Sequence, residues 1–315
     1  MQIFYKLEDI PANFGPSVVS VGNFDGVHRA HARVLSKVVE RAKQQNGISV
    51  AVTFEPHPMR ILRPDSAPKL LTPMSAKLRL LEASGADAIV VVPFTRDLSL
   101  MSPKEFVRCI LCEKLRTLEA HEGYNFRFGH KAAGDVKLLA DLGRDLGFEV
   151  VVYPQMCLRG QPVSSTRIRE SLQAGQVGRA RHLLGRPFSI QSGAGRGRGY
   201  GSKYTVPTIN LSRYDELVPR DGVYVTRTRI GEECFDSVTN VGNRPTFGSD
   251  SFAIETHLLN FHPLEVTAET EIEIFFLFRI RDEIKFSSAE KLREQILKDV
   301  GKAQHYFKLK QRKIA

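Results

Sequence analysis

Residues 22–31 read Gly22-Asn-Phe-Asp-Gly-Val-His-Arg-Ala-His31 and place two histidines directly after a turn that carries two glycines. An apolar run at 16–21 precedes the turn, apolar residues at helical spacing follow it as far as Gln45, and a second apolar run covers 48–54. Gly47 is the predicted C-cap of the helix. This order of strand, glycine loop, helix and strand is typical of a mononucleotide-binding half, where backbone N–H groups at a helix start bind phosphate.

The two histidines are the first candidate functional residues. Positions i and i+3 at a helix start lie on one side, so the rings of His28 and His31 are predicted to reach the same phosphate. Nucleotidyl transfer needs such groups because negative charge on phosphate oxygens must be stabilised. Two alternatives remain for an isolated H-x-x-H pair: two solvated helix residues, or half of a zinc site for which Asp25 is the only close further ligand. The phosphate interpretation is favoured because it explains the glycines as well.

Composition bounds the class of protein. The chain has 315 residues, of which 42% are hydrophobic and 25% charged, as expected for two soluble globular domains of about 150 residues each. It contains no apolar run of the ~18 residues that a membrane span needs, and its N-terminus lacks the pattern of a signal peptide. Four cysteines do not make a disulfide framework, which predicts a cytoplasmic location. Cys109 and Cys112 lie in an amphipathic pattern and are interpreted as packing residues rather than as a redox motif.

The charge of the chain allows two kinds of partner. A net charge of +10 permits nucleic-acid binding, and it also steers anionic substrates inward. The basic residues are scattered beside acids, apart from a tail at 308–313. Charge alone therefore does not choose between a nucleic-acid-binding protein and an enzyme of phosphate chemistry.

Alternating strand-like and helix-like segments in the first part of the chain predict an α/β domain, with a parallel sheet and helices on both faces. Strands are predicted at 16–21, 48–54, 88–92 and 148–153, and helices at about 30–45, 75–84, 103–118 and 135–146. Two further helices are predicted, one that opens in 164–169 and ends at Gly175, and one from Val177 to Leu184 that stops at Gly185.

The pattern of apolar and polar residues changes after Pro187. Short β-branched or alternating runs lie at 222–229, 234–241, 253–261 and 271–279. Such a series predicts a small antiparallel barrel, and the pattern at 288–306 predicts one closing helix. The predicted domains are therefore residues 1–185 and 186–315.

The sequence resembles a known family. The bacterial bifunctional riboflavin kinase/FMN adenylyltransferases, also called FAD synthetases, have an ATP-binding signature that resembles Gly22-x-Phe24-Asp25-Gly26-Val27-His28-x-x-His31. Further matching blocks follow in the family's order at Thr53-Phe-Glu-Pro-His-Pro58, Gly123-Tyr-Asn-Phe-Arg-Phe-Gly129, Ser164-Ser-Thr-Arg-Ile-Arg169, Leu183-Leu-Gly-Arg-Pro187, Pro207-Thr-Ile-Asn210, Gly222-Val-Tyr224, Asn240-Val-Gly-Asn-Arg-Pro-Thr246, Glu255-Thr-His-Leu-Leu259 and Leu292-Arg-Glu-Gln-Ile296. One departure is Ala30, where the wider superfamily usually has glycine. The resemblance implies a Rossmann-like nucleotidyltransferase domain followed by a β-barrel riboflavin kinase domain.

A second anion site is predicted in the first domain at 164–169. Hydroxyls, free N–H groups and Arg167 meet there at a helix start, and an ordinary capped helix is the alternative. The family implies phosphate contacts for the two histidines and pyrophosphate contacts for Arg167 and its neighbours. The implied catalytic residues of this domain are His28, His31 and Arg167, and the implied ATP-binding residues are Gly22, Phe24, Asp25, Gly26, Ser164, Ser165 and Thr166.

Three other positions of the first domain are candidate site residues. Asn125 and Arg127 resemble the family's further contacts to nucleotide and flavin. His57 lies between two prolines, and the sequence leaves open whether it is a site residue or a turn residue.

A glycine-rich stretch at 192–201 opens the second candidate site. We interpret it as a flap over phosphates that includes Gly197 and Gly201, because glycine lets the backbone approach a ligand. The alternative is an arginine–glycine segment that binds RNA. The family usually has Gly-Phe where this chain has Thr205-Val206, so the chain departs from the family at this corner.

Thr208 and Asn210 alternate along one predicted strand face. A hydroxyl and an amide oxygen suit Mg²⁺ held together with ATP phosphates. The resemblance implies that Glu255, on a later strand, is the general base for the riboflavin 5′-hydroxyl.

The leading hypothesis is an enzyme with two activities that makes FAD from riboflavin. The C-terminal domain phosphorylates riboflavin with ATP, and the N-terminal domain transfers the adenylyl group of a second ATP to FMN, releasing pyrophosphate. The expected cofactor is Mg²⁺, and the expected partners are ATP, riboflavin and FMN, with no nucleic acid and no membrane. One alternative is FMN adenylylation alone with a degenerate kinase domain, and another, of a different class, is a basic RNA-binding protein.

Overall fold

The computed structural model describes residues 1–193, 208–211, 214–243, 252–262 and 270–311. The chain divides into two compact units, Met1–Ser165 and Thr166–Ala315. The predicted flap positions Gly197 and Gly201, together with Thr205 and Val206, lie outside the described residues. The predicted boundary near Gly185 stays a prediction.

The first unit is built on a parallel sheet, as predicted. Its strands are β1 (Gln2–Phe4), β2 (Ser17–Val21), β3 (Ile48–Glu55), β4 (Ala88–Pro93), β5 (Thr117–Gly123), β6 (Arg127–Phe128), β7 (Gly134–Asp135), β8 (Glu149–Tyr153), β9 (Cys157–Leu158) and β10 (Gln161–Pro162). Six of them form the sheet in the order β1-β4-β3-β2-β5-β8, and every neighbouring pair is parallel. The pairs β6–β7 and β9–β10 form two small ribbons.

Helices connect these strands, and two predicted boundaries were wrong. The helices are α1 (Arg29–Gln44), α2 (Pro58–Leu62), α3 (Met74–Glu82), α4 (Arg96–Leu100), α5 (Pro103–Phe106), which continues as a π-helix over Val107–Lys114, and α6 (Val136–Leu146). The predicted helix at 103–118 ends early because Thr117 already belongs to β5. The left-handed residue after α1 is Asn46, with φ of +50°, rather than Gly47, because asparagine also tolerates this conformation.

The helices pack on both faces of the sheet. Val50 and Val52 of β3 point to the core that contains α6 and the π-helix, and Ala51 between them points to the core that contains α1 and α3. Cys112 packs against the first of these cores, and burial raises the pKa of its thiol. Because strand side chains alternate between faces, a sheet covered on both sides needs these continuous apolar runs.

The second unit contains a curled antiparallel sheet, which is a half-barrel. Its described elements are α7 (Ser165–Gln173, whose first residue closes the first unit), α8 (Val177–Leu184), β11 (Phe188–Gly193), β12 (Thr208–Asn210), β13 (Gly222–Ile230), β14 (Glu233–Asn243), β15 (Phe252–Leu258), β16 (Glu271–Arg281) and α9 (Ala289–Gln311). The strand order is β11-β16-β13-β14-β15-β12, with antiparallel neighbours throughout. Gly185 follows α8 with φ of +88° and ends it as predicted. Within the described ranges, no helix is both long and apolar enough to cross a membrane.

The two faces of this sheet differ in chemistry. Helix α9 packs with Ala303 and Phe307 on one face, against Val223 and Val225. The opposite face carries buried hydroxyl groups that hydrogen-bond one another at 2.7–3.2 Å. These hydroxyls belong to Thr226, Thr228, Ser237, Thr239 and Thr256. Their mutual bonds compensate the cost of burying polar groups.

Candidate functional site

The topology of the first sheet creates a crevice between β2 and β5. The chain passes from β2 through β3 to β4 on one side and then returns to place β5 on the other side of β2. Ligands of open parallel sheets bind beyond the carboxyl ends of the strands at such a switch point. The loop 22–28 leaves the carboxyl end of β2, and the segment with Asn125 and Arg127 leaves the carboxyl end of β5. These two sets of predicted site residues therefore lie at the same edge of the sheet.

A buried carboxyl group lies where β2 and β5 separate. The ladder between β2 and β5 pairs Val19 with Ala120, and it stops there. Farther along β2, the backbone N–H of Val21 donates instead to Oε1 of Glu122, at 2.6 Å. Burial raises the pKa of Glu122 well above its ordinary value of 4.5. The side chain thus replaces a ladder acceptor where the two strands separate.

The loop 22–28 is fixed by Asp25. The carboxylate of Asp25 accepts hydrogen bonds from the backbone N–H of Leu71 at 2.9 Å and of Thr72 at 3.2 Å. The hydroxyl of Thr72 in turn accepts from the N–H of Gly26 at 3.1 Å. Asp25 is 2% exposed, so its contacts here shape the loop. The described residues hold no group of three or more His, Cys, Asp or Glu that is placed to bind a metal ion.

The backbone of this loop is strained. Phe24 has φ of +45°, Gly26 of +85° and Val27 of +34°. The left-handed region is unfavourable for a β-branched residue such as Val27, and such residues cluster at ligand-binding loops. Gly22 begins the loop and donates its N–H to the carbonyl of Val52 on β3.

His28 is the N-cap of α1. Its Nδ1 accepts from the backbone N–H of His31 at 3.4 Å. An Nδ1 that accepts is unprotonated in the neutral ring, so Nε2 carries the proton and is a hydrogen-bond donor. The cap thus sets the tautomer of His28.

His31 stacks on His28 and is held from the other side. The two ring centroids are 3.6 Å apart with an interplanar angle of 13°, and Phe24 contacts His31 edge-on at 5.2 Å. Burial lowers the pKa of His31 well below 6.5, and His28, whenever its ring is protonated, and Lys77 lower it further. Nδ1 of His31 is buried and has no hydrogen-bond partner in the described part of the chain. The pair therefore shares one side of the helix start, as predicted, and His31 acts there as a neutral imidazole.

The second predicted phosphate loop is connected to the first through Ser165. Its hydroxyl donates to the carbonyl oxygen of Asp25 at 2.8 Å. Ser164, just before it, is half-buried. Thr166 and Arg167 begin the second compact unit, and both are exposed. Arg167 forms an ion pair with Glu170 at 2.8 Å, one turn along α7.

The structure also shows the contacts or the exposure of three other predicted site residues. His57 caps α2, because its Nδ1 accepts from the N–H of Met59 at 3.2 Å. Asn125 is exposed. Arg127 is exposed and lies 3.8 Å from the carboxylate of Asp135.

The register of the second sheet brings the predicted kinase residues side by side. Thr208 and Asn210 of β12 lie directly opposite His257 and Glu255 of β15. Glu255 also lies opposite Asn240 of β14. Because β12 and β15 are antiparallel, all four paired side chains of these two strands share one face of the sheet.

His257 is a member of this cluster that sequence reasoning missed. Its Nδ1 lies 3.3 Å from the hydroxyl oxygen of Thr208. Its Nε2 is buried without a hydrogen-bond partner among the described residues, and burial lowers the pKa of the ring. The spacing Glu255-x-His257 was the available signal, since alternate strand residues share a face.

Two family models match the chain. A family described as FAD synthetase matches residues 10–167, and a family described as riboflavin kinase matches residues 184–307. The parallel-sheet unit and the half-barrel unit, with these two matches, define a two-domain enzyme that joins a nucleotidyltransferase to a kinase.

The chain belongs to the bifunctional riboflavin kinase/FMN adenylyltransferase family and contains both of its domains. A protein of that description from Buchnera aphidicola subsp. Schizaphis graminum is 35% identical over 309 residues, which are 97% of each chain. The Escherichia coli (strain K12) protein of the same description is 32% identical over 293 residues, which are 93% of each chain. A solved structure from Streptococcus pneumoniae, titled as a macrolide-efflux protein, superposes on this chain with a TM-score of 0.85 and 25% sequence identity. The aligned residues are 96% of this chain and 98% of the Streptococcus chain.

Proposed function

We propose a division of roles for this bifunctional riboflavin kinase and FMN adenylyltransferase, in which the first unit adenylylates FMN and the second phosphorylates riboflavin. The observation that carries this assignment is the buried Nδ1 of His31 beside a helix start in the first unit, which has no hydrogen-bond partner in the part of the chain that the structure describes. A separate cluster of Thr208, Asn210 and Glu255 in the second unit supports the second role. The substrates are ATP, riboflavin and FMN. A cytoplasmic location agrees with four free cysteines.

In the first unit, a phosphate oxygen of FMN attacks the α-phosphorus of ATP. The bond between them forms as the bond from the α-phosphorus to the bridging oxygen breaks, and pyrophosphate leaves with the electron pair. His28 through Nε2–H and His31 as a neutral donor stabilise charge on the phosphate oxygens. The start of α1 adds its backbone N–H groups.

Other residues of the first site position the substrates. Ser165, Thr166 and Arg167 are proposed to bind the departing pyrophosphate, since hydroxyl and guanidinium donors suit an anion. Asn125 and Arg127, at the end of β5, are proposed to contact the nucleotide and the flavin. The contacts of Asp25 support a role in holding the loop in its strained shape.

In the second unit, Glu255 is proposed to accept the proton of the riboflavin 5′-hydroxyl. The hydroxyl oxygen then attacks the γ-phosphorus of ATP, and ADP leaves. Glu255 lies opposite Asn210 in the sheet, so the base and the proposed nucleotide-binding residues belong to one face.

Thr208 and Asn210 have the donor chemistry for Mg²⁺. Both offer oxygen atoms, which a hard cation prefers. The Thr208 hydroxyl can donate to Nδ1 of His257 and so direct its lone pairs away from the ring. When bound, Mg²⁺ would neutralise charge on the ATP phosphates.

The test uses purified protein with ATP, Mg²⁺ and either riboflavin or FMN, and chromatography identifies the products. We expect FMN and FAD from riboflavin, and FAD from FMN. Chelation of Mg²⁺ should stop both reactions, because each transfers a group from Mg²⁺-bound ATP. Formation of FAD from FMN without FMN from riboflavin would contradict the assignment of the second unit.

A further inference from the structure

Lys77 is a lysine in the interior of the first unit. It lies in the first half of α3 and is 1% exposed. Lysine is almost never fully buried unless it is paired, because its ammonium group loses its hydration. Burial accordingly lowers the pKa of Lys77.

Lys77 has no direct partner in the described residues. Its Nζ makes no hydrogen bond there and no ion pair within 4.0 Å. The carboxylates whose charge favours its ammonium form are Asp25 and Glu55, and Asp25 already accepts hydrogen bonds from the backbone N–H groups of Leu71 and Thr72. An internal structural lysine would normally have a carboxylate in contact.

The charge of Lys77 acts on residues of the loop 22–28 and of the helix start that follows it. Residues 71 and 72, which bond to Asp25, precede α3 by only a few positions. Lys77 is close enough for its charge to lower the pKa of His31. The Nδ1 of His31 is buried and has no hydrogen-bond partner in the described residues. Near one strained loop, the described residues thus give neither Lys77 nor this nitrogen a partner, and a bound anion would compensate both.

We propose that Lys77 binds the triphosphate of ATP in the adenylyl-transfer site and stabilises the pyrophosphate as it leaves. The inference rests on the proposed role of the first unit. Lys77 acts as a charge and transfers no proton, so the bonds formed and broken are those of the adenylyl transfer above. The negative charge of the bound triphosphate favours the ammonium form and offsets the cost of its burial.

The decisive variants are Lys77→Met and Lys77→Arg in the full chain. Lys77→Met keeps the apolar stem and should lower FAD formation from FMN by about 10²-fold or more, because a charge in the transition state is lost. The melting temperature without ligand, followed by circular dichroism, should stay equal or rise, since an unpaired buried charge is removed. Riboflavin phosphorylation in the same protein should stay at the wild-type rate. Lys77→Arg keeps the charge and should recover part of the adenylylation.

Lys37 on α1 provides the matched control. It is an exposed lysine that pairs with Glu40, so Lys37→Met should leave both reactions unchanged. Binding of inorganic pyrophosphate, measured by calorimetry, is the second readout and should be weaker in Lys77→Met than in wild type.

Two results would overturn the proposal. One is adenylylation by Lys77→Met within about tenfold of wild type. The other is a lower melting temperature with undiminished pyrophosphate binding, which would assign Lys77 a structural role. If the wild-type protein made no FAD from FMN, the proposed function would fail, and pyrophosphate binding would still test Lys77 independently.

Discussion

His28 and His31 stack face to face, yet they meet different requirements. His28 uses Nδ1 to cap α1, whereas the Nδ1 of His31 is buried without a hydrogen-bond partner in the described residues. Loss of His28 should therefore affect both the helix and the chemistry. Loss of His31 should affect mainly the chemistry.

We predict that His31→Ala and His28→Ala each lower FAD formation from FMN by about 10²-fold or more and spare riboflavin phosphorylation, because both rings serve the first unit alone. His28→Ala should also cost about 1 kcal/mol of stability through the lost cap, while His28→Asn restores the cap and not the rate. Rate assays with each substrate and thermal unfolding by circular dichroism test both claims. Equal loss of the two activities would contradict the assignment of these histidines to one site.

Ala30 tests how closely the loop follows its relatives. It lies in the first turn of α1 and is half-buried. Ala30→Gly removes one methyl group, so adenylylation should stay within about tenfold of wild type. The measurement is the rate of FAD formation at several ATP concentrations. Complete inactivation would mean that the loop binds ATP in another way.

At the scale of elements, β5 carries two buried glutamates with opposite electrostatics. Glu119 accepts from Nε of Arg41 on α1 at 3.0 Å and lies 3.0 Å from Nε2 of His121. The hydrogen bond from Arg41 holds its pKa at about 2, below the ordinary 4.5. Glu122 contacts no such cation among the described residues, and burial raises its pKa. The first glutamate ties α1 to β5, and the second separates β5 from β2.

Glu119→Gln should destabilise the protein in a pH-dependent way. The folded pKa lies below the unfolded one, so the stabilisation is complete above pH 4.5 and disappears as the pH falls toward about 2. Solvent around the partly exposed Arg41 screens the pair, so the expected loss at pH 7 is about 1–2 kcal/mol. Urea unfolding measures the free energy of unfolding of Glu119→Gln and of wild type. The difference between them should be smaller at pH 3.5 than at pH 7. Arg41→Gln should add little once Glu119 is replaced, and a full additive loss would contradict the pairing.

The substitution Glu122→Gln should have the opposite effect on stability to that of Glu119→Gln. A raised folded pKa means that stability is complete below pH 4.5 and is lost as the pH rises, because the ionised form is disfavoured in the fold. Glutamine keeps an acceptor for the N–H of Val21 without the charge. Its melting temperature should equal or exceed that of wild type, and the advantage should grow from pH 5 to pH 8. A lower melting temperature at pH 8 would show that Glu122 is ionised and paired.

At the scale of the whole molecule, the sequence predicted those strands that consist of continuous apolar residues. The runs at 48–54 and 88–92 became β3 and β4 because apolar strands buried on both faces give a plain signal. Strand β5 was missed because Glu119, His121 and Glu122 are polar, and only tertiary partners make their burial favourable.

The same distinction applies to the candidate site residues: a sequence pattern marked some of them in advance, and it did not mark Lys77. Glycines, histidines and strand alternation predicted the loop 22–31 and the shared face of Thr208 and Asn210. Lys77 gave no signal, since a lysine in an amphipathic helix normally faces solvent. Its burial depends on contacts between distant segments, which spacing along the chain does not encode.

The division into two units makes a prediction about the intermediate. His31→Ala should make FMN from riboflavin but very little FAD, and Glu255→Gln should make FAD from FMN but very little FMN, because each variant is impaired in one chemical step. A mixture of the two proteins with riboflavin, ATP and Mg²⁺ should therefore regain FAD formation. Chromatography should show a lag, because FMN must leave one protein and accumulate before the other uses it. A mixture that makes FMN and never FAD, although Glu255→Gln alone still converts added FMN, would contradict exchange of FMN through solution.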